Sequence, residues 1–299
     1  MAAFLLGSGE FSARAVLFYS TGDTAYNTSA SGTIAETAWD YEGRWGGYLG
    51  TAIAPHFFIT AKHVKGTTAY RFYYRGGTYT PLVAYDAPGG VDLTIWQVAE
   101  PLPAWAPLYL KTDEVGKSLV VIGRGTQRGA EVKVGTDLKG WQQGSADHVQ
   151  RWGENVVSGI NTVNSSECLA AEFNAGAGAN EAHLTVGDSG GAVFLQDSDL
   201  TWKLAGINYA VDGKWSYSGG SDTGFNAAIF DEGGLYLGNQ NKWTYITDQS
   251  TDIPSHFYST RISSYQDWIL SVIPEPRDYA LATAGLLGLM ALWRRRGRS

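Results

Sequence analysis

The sequence predicts an all-β protein, and three observations carry that expectation. Only 17% of the 299 residues are charged, 13% are aromatic and 38 are glycine, a profile that suits short strands, tight turns and ring packing. Runs of alternating or β-branched and aromatic residues recur between clusters of Gly, Pro, Asn and Asp. Helical signals are confined to the end of the chain, where Ser263 caps a segment reaching Leu270 and an apolar run occupies residues 279–293.

A chain of this length forms one large domain or two small ones with a real core. Its net charge of −7 argues against nucleic acid, which calls for a basic face. No Walker, dinucleotide or Cys-x-x-Cys pattern appears, so neither a cofactor nor a metal is expected. The single cysteine, Cys168, excludes an intramolecular disulfide. It reads as a small buried hydrophobe, with a reactive thiol or an intermolecular bridge as the alternative.

In chain order, Met1 to Gly7 holds a short apolar core with no basic start, and Ser12-Ala13-Arg14-Ala15 resembles an A-x-A cleavage site. Residues 1–15 read as a degenerate or truncated signal peptide, or else as an ordinary cytoplasmic N-terminus. Residues 16–42 mix turn formers and aromatics and lead into the first strand. Residues 46–54 and 57–61 read as a hairpin turning at Pro55-His56 and running into Lys62-His63-Val64. His63 therefore stands at a strand end, and His56 is exposed in the turn. Strands follow at 70–74 and 78–85, divided by Gly76-Gly77. Asp86-Ala87-Pro88-Gly89-Gly90-Val91-Asp92 then leads to a strand at 93–98. Asp92 opens that strand, whereas Asp86 sits among turn formers.

Residues 101–118 read as a connector between two halves. Strands are expected at 120–125, 130–134, 155–163 and 168–173, with a flexible loop at 174–180 and a strand at 182–186. Residues 192–195 and 202–209 form a hairpin with Asp197-Ser198-Asp199 at its tip. Residues 210–256 read as an elaborated loop holding one or two strands, and 257–262 as the last strand. No internal repeat is visible.

The stretch with chemical content is Gly187-Asp188-Ser189-Gly190-Gly191. A nucleophilic serine needs a tight turn that projects its hydroxyl and converges neighbouring N–H groups, and glycine alone tolerates that backbone freely. Taken alone, the stretch is equally a Gly/Ser turn between strands. A histidine and an acid upstream are what such a serine requires: His63 supplies the first, and Asp92, with Asp86 as competitor, the second.

These residues occur in the order His, Asp, Ser, and the chain resembles the trypsin-like, chymotrypsin-fold serine proteases. The resemblance rests on Thr60-Ala61-Lys62-His63, Asp92-Leu93-Thr94-Ile95, the 187–191 motif, and Ser259-Thr260-Arg261-Ile262 with Tyr265 and Trp268-Ile269. It covers roughly residues 43–272, and the order of its motifs separates it from the other serine hydrolases. It implies two six-stranded antiparallel β-barrels with a short C-terminal helix. It implies Ser189 as nucleophile, His63 as base, Asp92 as its orienting acid, and an oxyanion hole from the N–H groups of Gly187 and Ser189. In the family, the acid at the Asp188 position pairs with a newly freed N-terminal ammonium or with another internal group. The residue six before the serine, His183, would line the floor of the specificity pocket and favour acidic side chains, or else be structural. Asn208, Tyr209 and Ala210 would bind the substrate backbone. Val64 stands where the animal enzymes have a cysteine, the pocket disulfides are absent, and His63 and Asp92 lie closer together in sequence than in those enzymes.

Ile273-Pro274-Glu275-Pro276, the apolar run at 279–293 and Arg294-Arg295-Arg296-Gly297-Arg298 together resemble a PEP-CTERM sorting signal. The alternative is a packed or amphipathic helix. The run is short of the ~20 residues that span a bilayer upright. The resemblance implies an exosortase-type partner in a Gram-negative bacterium, transient membrane association through 279–293, and final placement at the cell surface, outer membrane or extracellular matrix. The expected organisation is a signal at 1–15, a protease domain at 16–272 and a sorting segment at 273–299. The expected function is hydrolysis of protein or peptide substrates by an exported serine endopeptidase. A catalytically silent protease-like adhesion domain and an esterase using the same triad are the rivals.

Overall fold

The computed structural model describes residues 16–31, 38–220, 224–239 and 242–273, and among them the chain is mostly β. It divides into two units, Met1–Ser264 and Tyr265–Ser299. In the larger unit, β1 (Leu17–Phe18) precedes the strands of the first half. These are β2 (Glu42–Trp45), β3 (Tyr48–Ala54), β4 (Phe57–Thr60), β5 (Phe72–Tyr74), β6 (Gly77–Tyr79), β7 (Pro81–Asp86) and β8 (Thr94–Val98). They form one seven-stranded antiparallel sheet in the order β6-β5-β2-β3-β4-β8-β7.

The second half contains β9 (Ser118–Gly123), β10 (Thr126–Val134), β11 (Asp137–Ala146), β12 (Arg151–Val163), β13 (Ser166–Glu172), β14 (Ala182–His183), β15 (Ala192–Gln196) and β16 (Trp202–Val211). After these come β17 (Lys214–Ser216), β18 (Ala227–Ile229), β19 (Tyr236–Asn239), β20 (Lys242–Tyr245) and β21 (His256–Arg261). Strands β12-β13-β21-β16-β15-β9 close into a six-stranded barrel. Of the two expected barrels, the second therefore closes by hydrogen bonding, while the first is a half-barrel whose edges are β6 and β7. Two three-stranded sheets, β10-β11-β18 and β17-β19-β20, and the β1-β14 pair complete the unit.

Each core follows from the sequence pattern. Inside the barrel, Leu119, Val121, Val157, Leu169, Val193 and Leu195 are buried together, every second residue of their strands facing inward. Each such side chain contributes about 1.5–3 kcal/mol of burial free energy. The half-barrel is filled by rings: Phe58 stacks on Phe72 with centroids 4.0 Å apart, and Trp45 lies 5.1 Å from Phe58 and 5.0 Å from Trp96. One carboxyl is enclosed there. Thr51 donates its hydroxyl to Glu42 at 2.6 Å, and burial pushes Glu42 up to about 8, so it stays protonated at neutral pH.

The β3–β4 hairpin turns at Pro55-His56, as the sequence predicts. Residues 78–85 do not make one strand. The backbone N–H of Thr80 donates to Glu100 at 2.7 Å, and Pro81 has no N–H to give, so β6 and β7 are separate. Residues 137–146 form a strand that the sequence pattern does not announce, and the described residues of 210–256 hold four strands rather than one or two. Within the larger unit, the Ser263 hydroxyl donates to Glu114 at 2.6 Å and caps no helix. Among the described residues of the smaller unit is the helix α1 (Gln266–Val272), which starts without a side-chain cap. The expected signal peptide at 1–15 and nearly all of the expected sorting segment lie outside the described residues. Among the described residues no helix is long and apolar enough to cross a membrane.

Candidate active site

His63 occupies a single 3-10 turn, Lys62–Val64, directly after β4. The turn is held at its exit: Lys65 adopts φ 55°, and its carbonyl accepts the Trp45 indole N–H at 3.2 Å. Asp92 arrives from β7 through Gly89 and Gly90, whose φ values of 71° and 79° reverse the chain within a few residues. The Asp92 backbone N–H donates to Ser166 Oγ at 2.9 Å, which ties the start of β8 to the start of β13.

The Asp92 carboxylate is nearly enclosed and faces His63 twice. Oδ1 accepts the His63 backbone N–H at 2.8 Å, and Oδ2 lies 2.6 Å from Nδ1. A carboxylate only accepts, so the Nδ1 position carries the proton and Nε2 of the neutral ring is an acceptor. Nε2 lies 2.7 Å from Ser189 Oγ. Asp86, the competing acid, is turned away: it accepts the Thr94 hydroxyl at 2.7 Å and pairs with Lys62 at 3.1 Å.

Ser189 stands in the turn between β14 and β15, with Gly187 at φ 98° and Gly190 at φ 80°. The Asp188 carboxylate is directed into the protein. It accepts the N–H of Gly125 at 2.6 Å, the N–H of Thr185 at 2.7 Å, the Thr185 hydroxyl at 2.9 Å and the N–H of Val16. Gly123 and Gly125 leave it room, since a Cβ at Gly123 would meet Asp188 Oδ1 at 2.2 Å. Burial raises Asp188 to about 6, and the hydrogen bonds pull against that rise. Among the described residues, the N–H groups of Gly187 and Ser189 have no protein acceptor.

Beside Ser189 lies a cleft of about 260 Å³, walled by Tyr48, Leu184, Val186, Tyr209, Ala210 and Val211. Tyr209 reaches it because the β16–β21 register shifts between Asn208 and Ala210, and its ring comes within 5.7 Å of the His63 ring. A second cleft of about 540 Å³, on the Asp92 side of His63, is bordered by Lys62, Lys65, Asp86 and Trp96.

His183 does not wall the first cleft. It is fully buried between Phe173 and Phe257, with ring centroids 5.5 and 5.8 Å away, and its Nδ1 lies 2.7 Å from the Leu184 carbonyl. Burial lowers it to about 4, so it is neutral packing; Leu184, itself almost fully buried, and the exposed Val186 line the cleft instead. Asn208 is also fully buried, with its side chain pointing inward. Tyr48, Leu184, Val186 and Ser166 were missed from the sequence. None belongs to a spaced motif, and pairing between distant strands alone brings them here.

No family model matches the chain. A curated relative, the serine protease SepA autotransporter of Shigella flexneri, is 24% identical over 168 residues, which is 52% of this chain and 12% of that protein. The chain thus matches a small fraction of that relative's length. A solved structure, the passenger domain of plasmid-encoded toxin, an autotransporter enterotoxin from enteroaggregative Escherichia coli, aligns with a TM-score of 0.46 at 12% identity, covering 76% of this chain and 22% of that one.

The turn leaves no space for a side chain at Gly190, where a Cβ would meet Thr60 Oγ1 at 2.3 Å and the Leu49 carbonyl at 2.6 Å. Gly190→Ala is expected to destabilise the fold by at least about 1–3 kcal/mol, from positive-φ strain alone. A urea titration of both proteins reads this, and an unchanged midpoint would contradict the described turn.

Proposed function

We propose that the chain is an exported serine endopeptidase that cleaves peptide bonds through an acyl-enzyme. The observation that carries this reading is the unbroken hydrogen-bond chain from Asp92 through His63 to Ser189 Oγ, at 2.6 and 2.7 Å, ending beside two unengaged amides. Ser189 Oγ attacks the scissile carbonyl carbon as its proton passes to His63 Nε2, and Asp92 stabilises the imidazolium. The carbonyl oxygen becomes an oxyanion and receives the N–H groups of Gly187 and Ser189, each contributing about 3 kcal/mol of transition-state stabilisation. His63 returns the proton to the leaving amine, the C–N bond breaks, and the acyl group stays on Ser189. Water, giving its proton to His63, attacks the ester, and the proton returns to Ser189 Oγ as the acid leaves.

The cleft beside Ser189 favours a medium-sized apolar side chain. Leu184, Val186, Ala210 and Val211 supply apolar wall, His63 borders it beside the serine, and His183 is sealed behind it. The acidic preference implied by a histidine in the pocket loses its basis, because His183 cannot reach a ligand there.

Export is supported by the similarity to an autotransporter protease and by the residues at both ends of the chain. The reading keeps a signal at 1–15, a protease domain at 16–272 and a PEP-CTERM-like segment at 273–299 that an exosortase-type enzyme would handle. Cleavage after Ala15 would free the amine of Val16, whose N–H already touches Asp188. Val16 is β-branched with φ 52°, a strained state that cutting the preceding peptide bond relieves. With only amide and hydroxyl partners, Asp188 stabilises the fold fully below its ordinary 3.8, and this is lost as pH rises through about 6. An ammonium at Val16 would reverse that slope by favouring the carboxylate.

A fluorophosphonate probe should label the wild-type protein and leave Ser189→Ala unlabelled. An unlabelled wild type sinks the enzymatic reading and favours the adhesion rival. Peptide-library profiling should return apolar residues before the cut, with turnover reduced roughly 10⁴-fold or more in His63→Ala; a dominant acidic preference would refute the cleft assignment. Protein recovered from the producing cell should begin at Val16. Its melting temperature should hold between about pH 4 and 7, whereas a chain extended before Val16 should lose stability over that range. Equal profiles would overturn the pairing.

A further inference from the structure

Asn208 begins the stretch expected to bind the substrate backbone, and every polar atom of its side chain is used inside the protein. Nδ2 donates to the Ile122 carbonyl on β9 at 2.8 Å and to the Asp188 carbonyl at 3.2 Å. Oδ1 accepts the Ser259 hydroxyl from β21 at 3.1 Å. The orientation of the amide is settled by its neighbours, since two carbonyls demand the NH₂ end. Its backbone is tied to the same turn: Asn208 N–H donates to the Gly191 carbonyl at 2.8 Å, and Gly190 N–H donates to the Asn208 carbonyl at 3.0 Å. Gly191 seals the arrangement, because a Cβ there would meet the Ile122 carbonyl at 2.2 Å and Asn208 Nδ2 at 3.0 Å.

The Asp188 carbonyl belongs to the peptide unit whose N–H is that of Ser189. No cis peptide occurs among the described residues, so this carbonyl and this N–H point in opposite directions. Gly191 N–H, at 3.1 Å, and Asn208 Nδ2 pull the carbonyl inward. The Ser189 N–H is thereby aimed outward, towards the cleft. Without these bonds the unit could turn about ψ of Asp188 and φ of Ser189 and put a carbonyl oxygen where the oxyanion should form.

We infer that Asn208 is a positioning residue that locks the Asp188–Ser189 peptide so that its N–H serves the oxyanion hole. The inference rests on the proposed peptidase activity and deepens it. An interaction made mainly in the transition state affects kcat far more than KM.

The test is steady-state kinetics on a peptide substrate, with active sites counted by fluorophosphonate titration. Asn208→Ala should lower kcat per titrated site by roughly 10–100-fold and change KM less than about threefold, while a peptide boronic acid loses affinity in parallel with kcat/KM. Ser259→Ala, which keeps the amide but frees its oxygen, should lower kcat several-fold with the same split. It carries the test should Asn208→Ala fail to fold. Unchanged kcat per titrated site in either variant, or equal changes in kcat and KM, overturns the inference. A wild-type protein inert towards both probe and peptides overturns the peptidase reading instead, and this inference falls with it.

Discussion

A carboxylate moved out of water without a cation costs several kcal/mol unless hydrogen bonds compensate it. Asp188 is in that position, and much of the site is shaped by the compensation. Its oxygens gather donors from three separate stretches: Val16 near the start of the chain, Gly125 after β9, and Thr185 after β14. Those stretches meet at one point, and the turn that carries Ser189 is anchored by the residue directly before it. Without that anchor, a turn with glycines at 187, 190 and 191 would be free to take many shapes.

The second constraint is that the three hydrogen-bonded side chains come from different sheets. His63 and Asp92 belong to the half-barrel, and Ser189 to the closed barrel. A 2.7 Å contact across such a seam requires the two sheets to be keyed together. Two features do this. Gly190 abuts Thr60 and the Leu49 carbonyl so closely that a methyl group would not fit, and Ser166 on β13 accepts the Asp92 N–H. The first sets how near the serine turn comes to the histidine strand. The second sets where the acid's strand begins.

The cluster of His63, Asp92 and Ser189 was legible because its residues lie in short motifs with a chemical reason for each position. His63 could be placed at a strand end, Asp92 at a strand start and Ser189 in a glycine turn from local pattern alone. The same holds for the β3–β4 hairpin and for the strands of the closed barrel. What was not legible depends on pairing between distant residues. Strand β11 reads as polar and glycine-rich, and it is a strand because β10 and β18 pair with it on both sides. Counting six residues back from the serine pointed to His183, yet the register puts that side chain between two phenylalanines and gives Leu184 the wall. The inward side chain of Asn208 was equally hidden, since its three hydrogen bonds come from strands 86 and 51 residues away and from the serine turn itself.

The distribution of unsatisfied polar groups completes the argument. Asp188, Asn208 and Ser259 are buried with their polar atoms paired to one another or to backbone. At the cleft the situation is the opposite: among the described residues the Gly187 and Ser189 amides have no protein acceptor, and the wall around them is largely apolar. Donors held rigidly in an apolar setting stabilise developing negative charge better than water does, because they need not reorient as it forms. On the proposed peptidase reading, the inward network would supply that rigidity, and a reaction passing through an oxyanion would use both amides beside the hydrogen-bonded serine and histidine.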